Sequence, residues 1–376
     1  MQKHLEIEPK ITRIIQDLQN AGYETYVVGG AVRDLLLGCN PKDYDISTAA
    51  TPEQICQVFG RRHTMIIGKR FRLVHYRMGH EIVEISTFRR SPGKAAVKKH
   101  PRFANLPEKM IIDDNNFGSS KEDAFRRDFT VNALFYDPVK EEIIDYTGNG
   151  LNDIQSKTVR VIGDPDVRFE EDPVRMLRAL KLVGRFNFAM DDACENSLFA
   201  NMEKIRHVPI SRMTLELEKV LSSCYVDTLF EAFHDYGLLP YFLPFFAENW
   251  NTPEMEQALD LVFERNCQVS AGELRNSISL AMACLTLPFI QSSFEKQKCR
   301  ASLASATVME RAFKPQTMVK RLLAAAEKTV NIYLSEKKPR RSQSHISTYK
   351  HAVELKNIVE NVKASQNQQT VQEELF

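Results

Sequence analysis

Ile11, Ile14, Ile15 and Leu18 recur at helical spacing between polar positions, which predicts an amphipathic helix within residues 1–22. From residue 23 the pattern changes to short β-prone runs at 26–28, 44–46, 73–78, 82–87, 133–136 and 143–145, separated by helical or polar segments. The stretch 91–121 is polar and irregular and reads as a long loop. Beyond about residue 150 helical spacing dominates, at 173–186, 211–222, 228–236, 255–265, 277–285 and 318–328. The Gln/Glu-rich residues from about 365 read as disordered. The expected class is α+β: a head of mixed sheet and helices over 1–145, a helical neck over 146–225, a helical and basic body over 226–362 and a disordered tail over 363–376.

A length of 376 residues allows two or more domains, each with its own core. The opening residues Met1, Gln2, Lys3, His4, Leu5 and Glu6 lack an apolar core, so no secretory signal is expected. Residues 276–294 carry no charge, but Asn276, Ser277, Ser279, Thr286, Pro288 and Gln291 favour a buried helix over a membrane span. The seven cysteines form no Cys-x-x-Cys pair, which argues against zinc and a disulfide framework and fits a cytoplasmic location. Net charge is only +1, yet residues 296–350 hold thirteen Lys/Arg against three Glu. Such a basic stretch suggests a polyanion partner, the alternative being a solvated helix face.

The densest chemistry lies between residues 26 and 46. Gly29 and Gly30 follow a β-prone run and precede helical spacing over 31–37, where glycine permits close backbone approach to a phosphate chain. Asp43 and Asp45 flank Tyr44, and alternation along a strand would turn both carboxylates to one face. Two carboxylates at that spacing suit Mg²⁺, which prefers oxygen ligands and substrate phosphates. Taken separately, a Gly-Gly pair is commonly a tight turn and Asp-x-Asp a surface loop. Together they imply nucleotidyl transfer.

This stretch resembles the opening motif of the tRNA nucleotidyltransferase/bacterial poly(A) polymerase family, a branch of the DNA polymerase β-like transferases, and the likeness runs in blocks over roughly residues 20–220. It implies a DNA polymerase β-like nucleotidyltransferase head, with Mg²⁺ or Mn²⁺ at Asp43 and Asp45 and a triphosphate cradle at Gly29, Gly30 and Arg33. Glu84, in Ile82-Val83-Glu84-Ile85-Ser86-Thr87, resembles the third acidic residue of a two-metal site; its bland alternative is a solvent-facing glutamate. Arg126-Arg127-Asp128-Phe129-Thr130-Val131-Asn132 matches the block whose Arg-Asp pair contacts the nucleotide's sugar and phosphates, which assigns Arg127 and Asp128, with a structural salt bridge as the rival.

Asp172 and Arg175, in Glu171-Asp172-Pro173-Val174-Arg175, resemble the pair that reads the base. A carboxylate accepting from an exocyclic amine beside a guanidinium donating to a ring nitrogen fits adenine or cytosine and not guanine or uracil. Asp172 before Pro173 is equally a helix cap. Arg212 and Glu216 stand four apart in a further block, where Ser211 replaces the family's usual Glu, and they read as a bracing pair. Ile66-Ile67-Gly68-Lys69-Arg70-Phe71-Arg72-Leu73-Val74-His75 is similar to the signature that marks poly(A)-adding members, and Lys69, Arg70 and Arg72 are candidates for gripping RNA or triphosphate.

The resemblance therefore implies template-independent addition of AMP from ATP to RNA 3′ ends. The alternatives are CCA addition to tRNA and, in another class, a non-catalytic RNA-binding protein.

Overall fold

The computed structural model describes residues 1–68, 72–79, 81–91, 116–297, 301–313, 320–335 and 346–373. Two compact units are present: residues 1–182 with 186–201, and residues 183–185 with 202–376.

The first unit is built on seven strands: β1 (Thr25–Val28), β2 (Asp45–Thr48), β3 (Thr64–Ile67), β4 (Leu73–Met78), β5 (Glu81–Thr87), β6 (Leu134–Asp137) and β7 (Glu142–Asp145). They lie in the order β3-β4-β5-β2-β1-β6-β7, and the parallel pair β2–β5 makes the sheet mixed. Its helices are α1 (Pro9–Asn20), α2 (Gly30–Leu36), α3 (Pro52–Phe59), α4 (Ser120–Arg126), α5 (Gly150–Gln155), α6 (Pro165–Glu171), α7 (Val174–Phe186), whose last turn spans both units, and α8 (Asp192–Asn201). Two short strands, β8 (Thr158–Val159) and β9 (Ala189–Met190), pair in parallel.

Local chemistry sets several of these boundaries. Thr51 and Gln54 form a capping box ahead of α3, with Pro52 in its first turn. Ser119 and Glu122 do the same for α4. Helix α1 buries the four predicted residues Ile11, Ile14, Ile15 and Leu18 and packs on β1.

The two faces of the sheet differ. On one, α3 lies against β3 and β4, and Phe59 stacks on Tyr76 with ring centroids 4.3 Å apart. On the other, Tyr26, Val28 and Phe135 close an apolar cluster with Phe88, Ala124, Ala133 and Ile162 at the β1–β6 end. Along β2, β5 and β4 that second face turns polar, through Ser47, Ser86, Glu84 and His75.

The sequence pattern did not reveal β3, because its Met65 and Ile66 are exposed apolar residues at a sheet edge and do not alternate with polar ones. It also placed a strand over 44–46, whereas β2 begins at Asp45. Asp43 therefore sits in the bend before the strand, so strand alternation does not relate it to Asp45. The expected loop over 91–121 falls largely outside the described residues.

The second unit holds α9 (Ile210–Leu221), α10 (Val226–Asp235), α11 (Leu239–Phe242), α12 (Pro244–Glu248), α13 (Pro253–Ser270), α14 (Ile278–Gln297), α15 (Ala301–Phe313), α16 (Lys320–Ser335) and α17 (Ser347–Glu373). Its core is aromatic. Phe230, Phe245, Phe289 and Phe313 each lie 5.1–6.2 Å, centroid to centroid, from another ring of a group centred on Phe246. Helix α14 is long and apolar enough to cross a membrane, but 67% of that window is buried within the fold, as expected for a core helix. Helix α17 continues through Gln366, which donates to Asp260 at 2.9 Å, and ends at Glu373, over residues whose composition suggested a disordered tail.

Gly184 lets α7 and α10 approach closely. A Cβ there would lie 2.6 Å from the Thr228 carbonyl oxygen and 3.0 Å from Leu229 Cδ2. Gly184→Ala is expected to destabilise the fold by about 1–3 kcal/mol through overpacking. An unchanged denaturation midpoint would contradict that close approach.

Candidate active site

Strand β1 runs into a glycine turn. Gly29 has a φ of 73°, a left-handed value that favours glycine, and its N–H donates to the Leu134 carbonyl at 3.1 Å. A second constraint acts at the same residue: a Cβ would meet Arg127 Nη1 at 2.9 Å. Gly30 opens α2. Arg33, only 8% exposed, is enclosed below the turn. Its Nε and Nη2 donate to Asp34 Oδ1 at 2.9 and 2.6 Å, its Nη1 donates to Asn132 Oδ1 at 2.6 Å, and its guanidinium lies over the Phe186 ring.

The three candidate carboxylates line one cavity of about 670 Å³. Asp45 pairs across the sheet with Val28, the residue before Gly29. Because Ile46 pairs with Ile85 in parallel register, Asp45 and Glu84 are neighbours on one face. Asp43 enters the same cavity from the bend before β2. Glu84 faces His75 across β4–β5, with Oε1 3.2 Å from Nε2.

Among the described residues, no three His, Cys, Asp or Glu side chains gather closely enough to enclose a metal ion. The donor set nevertheless fits Mg²⁺, which takes one or two carboxylates and completes its shell with water and substrate phosphates.

Beside this cavity lies a network of buried ions. Asp123, 1% exposed, accepts from Arg126 Nε at 2.9 Å, from Arg127 Nη2 at 2.9 Å and from the Arg89 amide at 3.0 Å. Arg127 also lies over the Phe135 ring. Asp128 accepts from the Phe129 amide at 2.9 Å, Asn132 Nδ2 at 3.1 Å and Arg178 Nη1 at 3.4 Å. Burial opposes the charge of both carboxylates most strongly. The surrounding cations and hydrogen bonds outweigh it and hold both below the usual carboxylate range: Arg127, Arg126 and the Arg89 amide at Asp123, and Arg178, Asn132, the Phe129 amide and Arg175 at Asp128.

Arg168 clasps this block from α6. Its Nη2 donates to the carbonyls of Arg126 and Arg127, each at 2.6 Å, and its Nη1 donates to Glu171 at 2.8 Å. Arg175, 6% exposed, donates to the Arg168 carbonyl at 2.7 Å and to Glu171 at 3.2 Å. Asp172 Oδ1 accepts from the Val174 amide at 3.3 Å, the capping contact open to it from sequence. Arg178, with 39% of its side chain exposed, is the more accessible cation on α7.

Of the basic signature, Lys69 and Arg70 lie outside the described residues, while Arg72 pairs with Glu53 at the start of α3. In the other unit, α9 carries Arg212 and Glu216 one turn apart, and the buried Glu216 accepts from Lys219 at 3.2 Å. Sequence reasoning did not single out Asp123 or Arg168. Charge spacing was the available signal, since Asp123 stands four before Arg127 and Arg168 three before Glu171.

Comparison with known proteins bears on these elements. A family model described as the poly A polymerase head domain matches residues 25–160, and one described as a probable RNA and SrmB-binding site of polymerase A matches residues 187–249. The chain is 37% identical over 231 residues to poly(A) polymerase I of Haemophilus influenzae, covering 61% of this chain and 50% of that protein. It is 34% identical over 293 residues to poly(A) polymerase I of Escherichia coli O157:H7, covering 77% of this chain and 62% of that one. A CCA-adding enzyme of Geobacillus kaustophilus is 35% identical over 228 residues, 61% of this chain and 53% of its own length. The chain thus spans about half to three fifths of the length of these relatives.

Among solved structures, a tRNA nucleotidyltransferase complexed with a primer tRNA and an incoming ATP analog matches with a TM-score of 0.58 at 24% identity, covering 94% of this chain and 99% of that one. The Bacillus stearothermophilus CCA-adding enzyme in complex with CTP matches with a TM-score of 0.55 at 23% identity, covering 94% and 83%. This likeness is one of fold.

Asp123 and Asp128 have folded pKa values below the unfolded value of about 3.9. Their stabilisation is therefore complete above that region and is lost as pH falls through the lower folded values. Asp123→Asn is expected to cost about 3–5 kcal/mol by leaving buried guanidinium groups unpaired, and to flatten the acid limb of a stability-versus-pH curve. An acid limb identical to that of the parent would contradict the role of this carboxylate.

Proposed function

We propose that the chain, whose segments match models of a poly A polymerase head domain and of an RNA-binding site of polymerase A, transfers AMP from ATP to RNA 3′ ends without a template. The observation that carries this reading is the meeting of Asp43, Asp45 and Glu84 in one cavity, with Asp45 paired to the strand that ends in the Gly29 turn. Poly(A) addition is preferred to CCA addition on the names of the relatives at 34–37% identity and on the signature over residues 66–75. CCA addition to tRNA is the second reading, favoured by CCA-adding relatives of similar identity.

In the proposed reaction the RNA 3′ oxygen attacks the α-phosphorus of ATP, a new P–O bond forms, and the bond to pyrophosphate breaks. Positioning and charge stabilisation supply most of the rate. Mg²⁺ or Mn²⁺ bound by Asp43 and Asp45, with Glu84 beside them, would neutralise phosphate charge and favour the ionised 3′ oxygen. The Gly29–Gly30 backbone receives the triphosphate. Arg33 braces that turn through Asp34 and Asn132. Arg127 and Asp128 hold phosphate and sugar, positioned by Asp123 and Asn132. Asp172 and Arg175 select the base, with Glu171 orienting Arg175. We assign a cytoplasmic setting to this activity.

The double substitution Asp43→Ala, Asp45→Ala is expected to lower AMP incorporation by about 10³-fold or more, several kcal/mol of transition-state stabilisation, with an unchanged circular dichroism spectrum. Retained activity would refute the carboxylate assignment. Labelled ATP on oligo(A), compared with ATP plus CTP on tRNA trimmed of its 3′ end, separates the two readings. Elongation of oligo(A) supports poly(A) addition, and a three-nucleotide product confined to tRNA supports CCA addition.

A further inference from the structure

The register of β3, β4 and β5 extends the carboxylate face beyond the cavity. His75 pairs with Glu84 and Arg77 with Ile82, so all four share the face of Asp45. On the next strand Met65 pairs with His75, and the Arg77 amide donates to the His63 carbonyl, which brings Met65 and His63 to the same side. Tyr76, between His75 and Arg77, points the other way and stacks on Phe59 of α3. That helix thus covers the opposite face, while Met65 is 54% and Ile82 53% exposed on this one.

A second cavity, of about 560 Å³, lies at the ends of β4 and β5; it is lined by His63, Tyr76, Arg77, Met78 and Gly79 and shares Lys10 and Glu81 with the carboxylate cavity, and of these only His63 and Arg77 belong to the open face. Among the described residues, no ion pair or hydrogen bond engages the side chains of His63 and Arg77.

We propose that this open face of β3–β4–β5 is the track along which the RNA 3′ end reaches the carboxylates. The inference rests on the nucleotidyl-transfer reading and specifies its acceptor site. Arg77 supplies a guanidinium for a backbone phosphate. His63 supplies a ring nitrogen that can donate to phosphate or ribose. Met65 and Ile82 are exposed apolar side chains against which unstacked bases can rest by apolar contact, without the π face that aromatic rings supply in many single-strand sites. Continuity with the catalytic cavity points to an acceptor strand that ends at Asp45 and Glu84, with the exposed Arg77 placed to meet its backbone.

Binding of a short fluorescent oligo(A) to the full chain, without ATP or divalent ion, tests the track. Arg77→Ala is expected to weaken binding several-fold at low salt and to reduce the slope of log affinity against log salt by about 0.7, the value of one phosphate contact on a single strand. Met65→Glu, which removes the apolar support and places a repelling charge on the same face, is expected to weaken binding several-fold. Oligo(A) carrying 4-thiouridine near its 3′ end is expected to photocrosslink to peptides containing His63–Met65 or Arg77–Met78.

Unchanged affinity and slope in both variants, with crosslinks confined elsewhere, would overturn the track. If the variants behave as expected but the parent adds no AMP to any RNA, the track stands and the transferase reading falls.

Discussion

The parallel pairing of β2 with β5 is the constraint on which the candidate site depends. It sets Ile46 opposite Ile85, and the two-residue repeat of a strand then sets Asp45 beside Glu84 on the open face. A one-residue slip would send both carboxylates into the face packed beneath α1 and α3 and bring Ile46 and Ile85 to the cavity. Buried Ile46, Val83, Ile85 and Val74 on the inner face oppose such a slip. The apolar pattern of the core therefore positions the polar groups of the site. Ser47 and Ser86, hydrogen-bonded at 2.8 Å, repeat the same register one step further along.

Next to the β1–β6 part of this sheet, five arginines and three acidic residues are arranged within a few helical turns. Isolated ions would be costly to bury, so each is met by an opposite charge or by backbone carbonyls. Arg168 is the joint: it neutralises the exposed carbonyl ends at Arg126 and Arg127 and also shares Glu171 with Arg175. The Arg-Arg-Asp block thereby becomes a rigid wall in which Gly29 leaves the room that Arg127 occupies. Such preorganisation suits phosphoryl chemistry, where donors must be aimed before charge develops.

The second unit solves a different problem. Most of its rings pack edge to face around Phe246, while Arg265 is fully buried and, among the described residues, has no carboxylate among its contacts. Arg265 donates instead to the Ser223 carbonyl beyond the end of α9 and to the side-chain oxygens of Asn266 and Asn276. Backbone carbonyls at a helix C-terminus carry partial negative charge, which makes them a suitable sink for a buried guanidinium.

Periodicity alone marked α1, β1, β4, β5 and, in the second unit, α9, α10, α13, α14 and α16, through their runs of apolar positions, whereas α15 and the long α17 went unmarked. The Gly29-Gly30 turn and the Asp43–Asp45, Arg127–Asp128 and Asp172–Arg175 pairs were legible for another reason: their residue types are chemically unusual in combination at short range. Edge strand β3 was not legible, since an edge with exposed Met65 and Ile66 lacks the burial that imposes alternation. The pairing of Arg178 with Asp128, the clasp of Arg168 and the enclosure of Arg33 and Arg175 were likewise settled only in three dimensions. An arginine's spacing along a helix says which face it leaves, while its partner is set by whichever segment packs there, fifty residues away for Arg178 and ninety-nine for Arg33. Sequence determined the chemistry that this chain carries, and long-range packing decided which charges brace the site and which remain open to a substrate.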